Sequence, residues 1–233
     1  MTHPRALLFD LDDTLYPERR FLLSGYAAVA AEIERRSGVP AGAVFGYLSR
    51  AARSGRRGEA FQDVCARFAL DYGLVPQLLS VYRQHEPRLR LPRATRQTLW
   101  YLRMSWRIAI VTNGLPDVQR RKVAALGLES FVDAVVFAHA CGSGEGKPAP
   151  EAFLDALDRL DVSPWLAVMI GDDPVCDIAG ARALGLRTIR IEQGRPRHVQ
   201  SGQPVGADAV VNSLYAVPIV AEQLLQEAAA DAA

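Results

Sequence analysis

Six short apolar segments constrain the fold of this chain more than any other feature of its sequence. Each segment has three to five residues, and in most of them β-branched and other apolar residues follow one another without polar residues between. Such a continuous run is typical of a strand covered on both faces, as in a parallel sheet. The predicted strands are Ala6–Phe9, Ile108–Val111, Ala134–Phe137, Ala167–Ile170, Arg187–Ile191 and Ala209–Val211.

Helical patterns lie between most of these strands. Asp117–Leu126 ends at Gly127, a residue that commonly stops helices, and apolar residues recur at helical spacing in Pro150–Leu160. Alternating strands and helices favour a doubly wound α/β fold, in which ligands bind at the carboxyl ends of the strands. The remaining predicted helices of this part are Pro174–Leu184 and Leu214–Ala228.

One long segment interrupts the alternation directly after the first strand. Between Tyr16 and about Leu91 the sequence contains helix-like patterns but no convincing strand. We therefore predict an α/β core made of residues 1–15 and 91–233, with an inserted all-helical domain of residues 16–90. The helix-like patterns lie near Phe21–Arg36, Ala41–Arg53, Glu59–Tyr72 and Val75–Arg83.

Charge and cysteine content exclude several classes of protein. The 27 Lys and Arg balance 26 Asp and Glu, for a net charge of +1, which gives no support for nucleic-acid binding. The three cysteines form no disulfide or metal-binding pattern, and no apolar run has the roughly 18 residues of a membrane span. We expect a cytoplasmic protein without a membrane or nucleic-acid partner.

Two of the predicted strands are followed directly by aspartates. Asp10 and Asp12 follow the first strand, and both can reach the same crevice because strand side chains alternate between faces. Two carboxylates about 4 Å apart repel by roughly 4 kcal/mol at an effective dielectric of 20, so such a pair implies a cation or a shared proton. The fourth strand is followed by Asp172, Asp173 and Asp177, of which the last two could instead only cap a helix. Oxygen ligands of this kind suit Mg²⁺.

Candidate phosphate-binding residues follow the second and third strands. Thr112 and Asn113 bring a hydroxyl and an amide to a strand end, although an ordinary Asn-Gly turn would have the same sequence. A glycine-rich loop then leads to Lys147, which is the only lysine of the chain besides Lys122. A solvated side chain is the alternative for Lys147.

These four motifs, in this order, resemble those of the haloacid dehalogenase superfamily, in its phosphatase branch. The resemblance covers nearly the whole chain, and the family also places a helical cap after its first motif. It implies a Rossmann-like core and a Mg²⁺-dependent phosphatase that forms an aspartyl-phosphate. The motifs are Asp10-x-Asp12-x-Thr14, Thr112 in VTNG, Lys147 in GKP, and Gly171-Asp172-Asp173-x-x-x-Asp177.

The resemblance also implies a role for each matched residue. Asp10 would be the nucleophile, and Asp12 the general acid and then the general base. Thr112, Asn113 and Lys147 would bind the phosphoryl group. Mg²⁺ would be held by Asp10, by the backbone carbonyl at Asp12 and by Asp172, with Asp177 and Asp173 in supporting positions.

Asp12 discriminates between branches of the family. The true dehalogenases lack this acid because a halide leaves without a proton, whereas an alkoxide needs one. Asp12 therefore favours phosphate esters, such as a sugar phosphate or a nucleoside monophosphate. A phosphomutase or other phosphoryl transferase would share these motifs, and a non-catalytic protein that keeps the fold is a further alternative.

The inserted cap would supply substrate selectivity. The candidates are Tyr16, Arg19 and Arg20, which follow the first motif, and Arg56 and Arg57 in a basic loop that could also be solvated surface. We expect a monomer or a homodimer whose partner is a small phosphorylated metabolite.

Overall fold

The computed structural model describes residues 4–53, 58–192 and 206–231. The chain divides into two compact units. The first unit comprises the described residues of Met1–Pro17 and Arg90–Ala233, and the second comprises those of Glu18–Leu89.

The first unit contains a six-stranded sheet in which every pair of neighbouring strands is parallel. All six predicted strands are confirmed, with two of them slightly longer than predicted. Their order across the sheet is β3-β2-β1-β4-β5-β6. The strands are β1 Ala6–Phe9, β2 Arg107–Thr112, β3 Ala134–Phe137, β4 Ala167–Gly171, β5 Arg187–Ile191 and β6 Ala209–Val211.

The strand order reverses between β1 and β4. From β1 the chain adds β2 and β3 on one side, and it then crosses to β4 on the other side. In open α/β sheets, ligands bind outside the carboxyl ends of the strands at such a reversal. The registers place Phe9 opposite both Ile110 and Ile170, so β1, β2 and β4 end at nearly the same level.

Nine α-helices lie within the described residues. In chain order they are α1 Arg19–Ser37, α2 Ala41–Arg53, α3 Ala60–Arg67, α4 Val75–Gln84, α5 Arg93–Leu102, α6 Pro116–Leu126, α7 Glu151–Leu160, α8 Gly180–Ala183 and α9 Val217–Asp231. Shorter 3₁₀ turns cover Tyr72–Leu74, Leu128–Ser130, Ala138–Ala140, Pro164–Leu166 and Leu214–Ala216, and a π-helical segment covers Pro174–Ala179.

Most predicted helices are confirmed, with three differences. Helix α3 ends at Arg67, before the predicted Tyr72, and α5 was not predicted. The single predicted helix Pro174–Leu184 is instead a wide π-helical segment followed by the short α8. Gly127 ends α6 as predicted, with a φ of 64° that a residue with a side chain rarely adopts.

The core of the first unit explains why its strands are continuously apolar. All four residues of β1 are fully buried, as are the apolar residues of β2 and β4. Helix α7 covers one face of the sheet with Phe153, Ala156 and Leu160. Burial of these side chains removes large apolar surfaces from water, which is the main term that stabilises a fold of this kind.

The second unit is built from α1, α2, α3 and α4. Helix α1 packs against α2 and α4, and α3 packs against the same two helices. Its core has an aromatic cluster in which Tyr26, Phe61 and Tyr82 contact one another edge to face or tilted. The described part of the chain contains no helix that is both long and apolar enough to cross a membrane.

Candidate active site

Three strands deliver the candidate residues to one edge of the sheet. Asp10 follows β1, and its backbone N–H donates to the carbonyl oxygen of Ile170 at 2.9 Å, which extends the pairing with β4 by one residue. Thr112 is the last residue of β2, and Asp172 follows β4 directly. The residues that the sequence placed at separate strand ends are thus brought together by the register of the sheet.

Asp10, Asp172 and Asp177 form an acidic cluster. Each offers a carboxylate oxygen, and these three oxygens lie within 4.8 Å of one another. Asp10 and Asp177 are buried, at 8% and 1% exposure. Buried carboxylates at this distance repel one another unless positive charge lies between them.

Lys147 supplies one positive charge to this cluster. Its ammonium donates to Asp10 at 2.7 Å, to Asp177 at 2.6 Å and to the carbonyl oxygen of Val111 at 2.7 Å. An ammonium has three donors, so all three are used here. Lys147 is 3% exposed, which is possible because each donor has an acceptor.

The charges in the cluster shift the pKa values of its members. Burial raises the pKa of Asp10 to about 8, Lys147 acts in the opposite direction, and Asp177 adds to the increase. Burial alone would lower the pKa of Lys147, but Asp10 and Asp177 outweigh it, and that pKa lies above its ordinary value. The single ammonium of Lys147 is therefore bonded to two of the three carboxylates of the cluster.

Asn113 fixes the loop that carries Lys147. Its side-chain amide donates to the Lys147 carbonyl oxygen at 2.8 Å, and its side-chain oxygen accepts from the Lys147 backbone N–H at 2.8 Å. The side chain of Asn113 is therefore occupied by a structural contact. Gly114, the next residue, donates its N–H to Nδ1 of His139 at 3.0 Å.

The carboxylate of Asp12 lies among a different set of donors. Both oxygens accept from the ammonium of Lys122, at 2.7 and 2.8 Å. One oxygen also accepts from the side-chain amide of Gln119 at 2.9 Å, and the other accepts from the hydroxyl of Tyr16 at 2.7 Å. Gln119 bridges to Thr112 as well, because the same nitrogen donates to the Thr112 hydroxyl at 2.6 Å.

Lys122 and Gln119 were not singled out as site residues from the sequence. They lie more than 100 residues from Asp12 along the chain, and no spacing rule links a helix residue to a strand end so distant. The signals that could have found them are the rarity of lysine in this chain and the spacing of three residues, which puts Gln119 and Lys122 on one face of α6.

The two aspartates predicted to support the site have different surroundings. The second oxygen of Asp177 accepts from the backbone N–H of Asp173 at 3.0 Å, which holds the Asp177 carboxylate in place. The side chain of Asp173 accepts from the backbone N–H groups of Val175 and Cys176. Asp173 thus caps the π-helical segment, the role that acids often have at the start of a helix.

The predicted selectivity residues are spread over both units. Tyr16 belongs to the first unit, where it is buried and bonded to Asp12. Arg19 and Arg20 begin α1 of the second unit and are exposed. Arg56 and Arg57 lie outside the described residues.

A family model for haloacid dehalogenase-like hydrolases matches residues 4–185. The chain belongs to this hydrolase family. The match includes all four motifs, from Asp10 to Asp177.

Individual relatives of this hydrolase agree with that membership. It is 27% identical to a glyceraldehyde 3-phosphate phosphatase of Methanocaldococcus jannaschii, over 96% of this chain and 99% of that protein. It is 39% identical to a phosphoserine phosphatase of Thermus thermophilus, but that match spans only 37% of this chain and 34% of the relative. A crystal structure of a HAD phosphatase from Thermococcus onnurineus is 27% identical and covers 93% of this chain and 97% of its own, with a TM-score of 0.61.

Proposed function

We propose that this hydrolase is a Mg²⁺-dependent phosphatase that cleaves a small phosphorylated metabolite through an aspartyl-phosphate on Asp10. The observation that carries the proposal is the buried contact of Lys147 with Asp10 and Asp177, beside the third carboxylate of Asp172. A carboxylate can attack a phosphate dianion only where positive charge offsets their repulsion. Lys147 supplies one such charge, and the three carboxylates are ligands for a cation that would supply a second.

In the first step an oxygen of Asp10 attacks phosphorus, and the bond from phosphorus to the ester oxygen breaks. The leaving alkoxide takes a proton from Asp12, so the alcohol departs neutral. In the second step water attacks the phosphorus of the aspartyl-phosphate, the bond between phosphorus and the Asp10 oxygen breaks, and Asp12 takes a proton from the attacking water. Inorganic phosphate departs, and both aspartates return to their starting forms.

Lys147 contributes to both steps through its position. It contacts the nucleophile and lies at the end of β2, where Thr112 and the backbone of Asn113 are proposed to bind the phosphoryl oxygens. Its ammonium stays charged because its pKa is raised. It can therefore offset negative charge on the phosphoryl group throughout turnover.

The three carboxylates of the acidic cluster are suitable ligands for Mg²⁺. Three carboxylate oxygens lie within 4.8 Å of one another, and hard oxygen ligands are those that Mg²⁺ prefers. We propose that Asp10, Asp172 and the backbone carbonyl at Asp12 hold the ion, with Asp177 supporting them and Asp173 fixing the adjoining turn. When bound, the ion would supply further positive charge against the phosphoryl oxygens.

The substrate class follows from the relatives and from Asp12. Relatives of this hydrolase are named for glyceraldehyde 3-phosphate and phosphoserine, which are small phosphate monoesters. The proton that Asp12 can supply suits an alkoxide leaving group. We therefore propose a phosphorylated metabolite of this size, with sugar phosphates and nucleoside monophosphates as further candidates.

The helical second unit is proposed to be the cap that selects the substrate. Arg19 and Arg20 are exposed cations at the start of this unit. Arg56→Ala should raise KM for the natural substrate more than for an aryl phosphate, since an aryl phosphate lacks a second anionic group. Equal effects on the two substrates would count against this role.

A phosphate-release screen over phosphorylated metabolites and p-nitrophenyl phosphate, with and without Mg²⁺, tests the proposed function. We expect Mg²⁺-dependent release, which Asp10→Asn abolishes while the circular dichroism spectrum is retained. Isomerised ester in place of free phosphate would identify a mutase. Release from none of the substrates, or a wild-type-like rate for Asp10→Asn, would refute the proposal.

A further inference from the structure

The two lysines of the chain pair with two of the three aspartates that follow β1. Lys147 contacts Asp10, whereas Lys122 contacts Asp12 through both carboxylate oxygens. The other 25 basic residues of the 27 are arginines. An ammonium is compact enough to fit beside a buried carboxylate where a guanidinium would need more space.

Lys122 is placed for this contact by helix α6. It is 4% exposed, although its neighbours Arg120 and Arg121 on the same helix are exposed. A buried ammonium without partners would be strongly unfavourable, so its burial here depends on the carboxylate that it contacts. Breaking that contact would leave the partly buried carboxylate of Asp12 without its cation.

Gln119 completes the arrangement one turn earlier on α6. It is 1% exposed, and its amide nitrogen lies 2.9 Å from Asp12 and 2.6 Å from the Thr112 hydroxyl. Gly114 leaves space for this side chain, since a Cβ at Gly114 would lie 3.3 Å from Gln119. The amide therefore ties the general acid of the proposed mechanism to the end of β2, where the phosphoryl group is proposed to bind.

We propose that Lys122 and Gln119 are positioning residues that orient the carboxylate of Asp12 for proton transfer to the leaving group. The inference rests on the proposed phosphatase function. Lys122 holds both oxygens, which fixes the plane of the carboxylate, and Gln119 fixes its distance from Thr112. A general acid contributes about 10²- to 10⁴-fold only when it lies within hydrogen-bond reach of the atom that it protonates.

This role predicts a dependence on the leaving group. Lys122→Met should lower kcat/KM for an alkyl phosphate by about 100-fold, because an alkoxide leaves poorly without a well-placed proton donor. The same variant should lower kcat/KM for p-nitrophenyl phosphate by no more than about 3-fold, since nitrophenolate leaves without a proton. The parameter kcat/KM is chosen because it covers only the steps up to departure of the leaving group.

Arg121→Met is the matched control, because it removes one positive charge from an exposed position of the same helix. It should leave both values of kcat/KM near those of the wild type. Gln119→Leu should show the same leaving-group dependence as Lys122→Met, and it introduces no buried charge. If circular dichroism shows that Lys122→Met does not fold, the leaving-group dependence of Gln119→Leu tests the positioning role instead.

A double-mutant cycle separates positioning from a direct role. In an Asp12→Asn background, adding Lys122→Met should change kcat/KM for p-nitrophenyl phosphate by less than about 2-fold, since Lys122 acts through Asp12. A further large loss would overturn the proposal. So would equal losses with both leaving groups, or wild-type rates, in the folded single variants.

Activity of the wild-type protein distinguishes an incorrect positioning role from an incorrect proposed function. A wild-type protein that releases no phosphate from any ester would refute both. An active wild type whose Lys122→Met and Gln119→Leu variants show no leaving-group dependence would refute only the positioning role.

Discussion

The ammonium of Lys147 lies 2.7 Å from a carboxylate oxygen of Asp10, and both side chains are buried. The contact joins residues 137 positions apart along the chain. Lys147 is shared with Asp177, so it offsets only part of the negative charge of the cluster. From this imbalance we expect the stability of the protein to depend on pH and on added Mg²⁺.

The pH dependence of stability follows from the pKa of Asp10. Burial raises that pKa from 3.8 to about 8, so between these values the folded protein binds more protons than the unfolded chain. Stability should therefore fall as pH rises through this window. Lys147 stays charged in this pH window because its own pKa is raised, so it does not change the pH dependence of the free energy of unfolding there.

Thermal unfolding in a chelator checks this prediction. We expect the melting temperature of the wild type, relative to Asp10→Asn, to fall steadily between about pH 5 and about pH 8. Added Mg²⁺ should reduce the fall, because a cation beside Asp10 favours its ionised form. Melting temperatures that change in parallel for the two proteins would contradict the shifted pKa.

Asn113 should matter for stability as well as for activity. Asn113→Ala removes two hydrogen bonds to the backbone of Lys147, and we expect a loss of about 1–3 kcal/mol in the free energy of unfolding. The rate should also fall, since the loop no longer holds Lys147 in place. Urea denaturation measures the first effect and phosphate release the second.

Asn212→Ala is the matched control for that variant. Asn212 is exposed and is the only other asparagine of the chain. Its replacement should change the free energy of unfolding by less than about 0.5 kcal/mol. Equal losses in the free energy of unfolding for the two variants would show that the hydrogen bonds of Asn113 to Lys147 do not stabilise the protein.

The strands were predictable because burial on both faces leaves a local signature. Phe9 and Ile170 lie in continuous apolar runs, and each run is followed by the aspartates that form the site. Helix α5 has no such signature, because half of the residues in Arg93–Leu102 are polar and two of its four buried residues are threonines. Its position depends on packing within the first unit, which the local pattern does not encode.

The sequence predicted that residues at the strand ends come together, but it did not predict that Lys122 and Gln119 contact Asp12. The pairing of Asp12 with Lys122 depends on how α6 is placed against the sheet, and that is a tertiary relationship. The division of the predicted helix Pro174–Leu184 has a similar origin. A Cβ at Gly180 would lie 2.9 Å from the Pro148 carbonyl oxygen, so this turn is shaped by a neighbouring loop.

Gly171 should tolerate no side chain. A Cβ at this position would overlap the carboxylate oxygen of Asp177 that accepts from the Asp173 N–H. The carboxylate cannot move away without losing that bond and the contact of its other oxygen with Lys147. Gly171→Ala should therefore displace Asp177 and lower both the rate and the stability, the latter by about 1–3 kcal/mol. The measurements are phosphate release and urea denaturation.

Gly46→Ala provides the comparison for Gly171→Ala. Gly46 lies inside α2, where the nearest atom to an added Cβ is the flexible end of Arg50 at 3.4 Å. Alanine there should raise the free energy of unfolding by about 0.5–1 kcal/mol, because glycine disfavours helices. A Gly171→Ala variant as stable and active as the wild type would disprove the steric argument.

Glu32 provides a prediction within the second unit. Arg35 donates two hydrogen bonds to its carboxylate and Arg36 donates a third, and these lower the pKa of Glu32 from 4.5 to about 2. A lowered pKa contributes stability that is present above the unfolded value and is lost as pH falls towards the folded one. Glu32→Gln should therefore destabilise the protein at neutral pH, by less than about 1 kcal/mol because the arginines are partly exposed.

The pKa of Glu32 can be measured directly by carbon-detected NMR titration of its side-chain carboxyl. Arg35→Gln should raise it more than Arg36→Gln, since Arg35 has the larger effect on this carboxylate. Glu59→Gln serves as the control for stability, because Glu59 makes no side-chain bond to the start of α3. A carboxyl that titrates near 4.5 in the wild type would show that the two arginines do not hold Glu32 in solution.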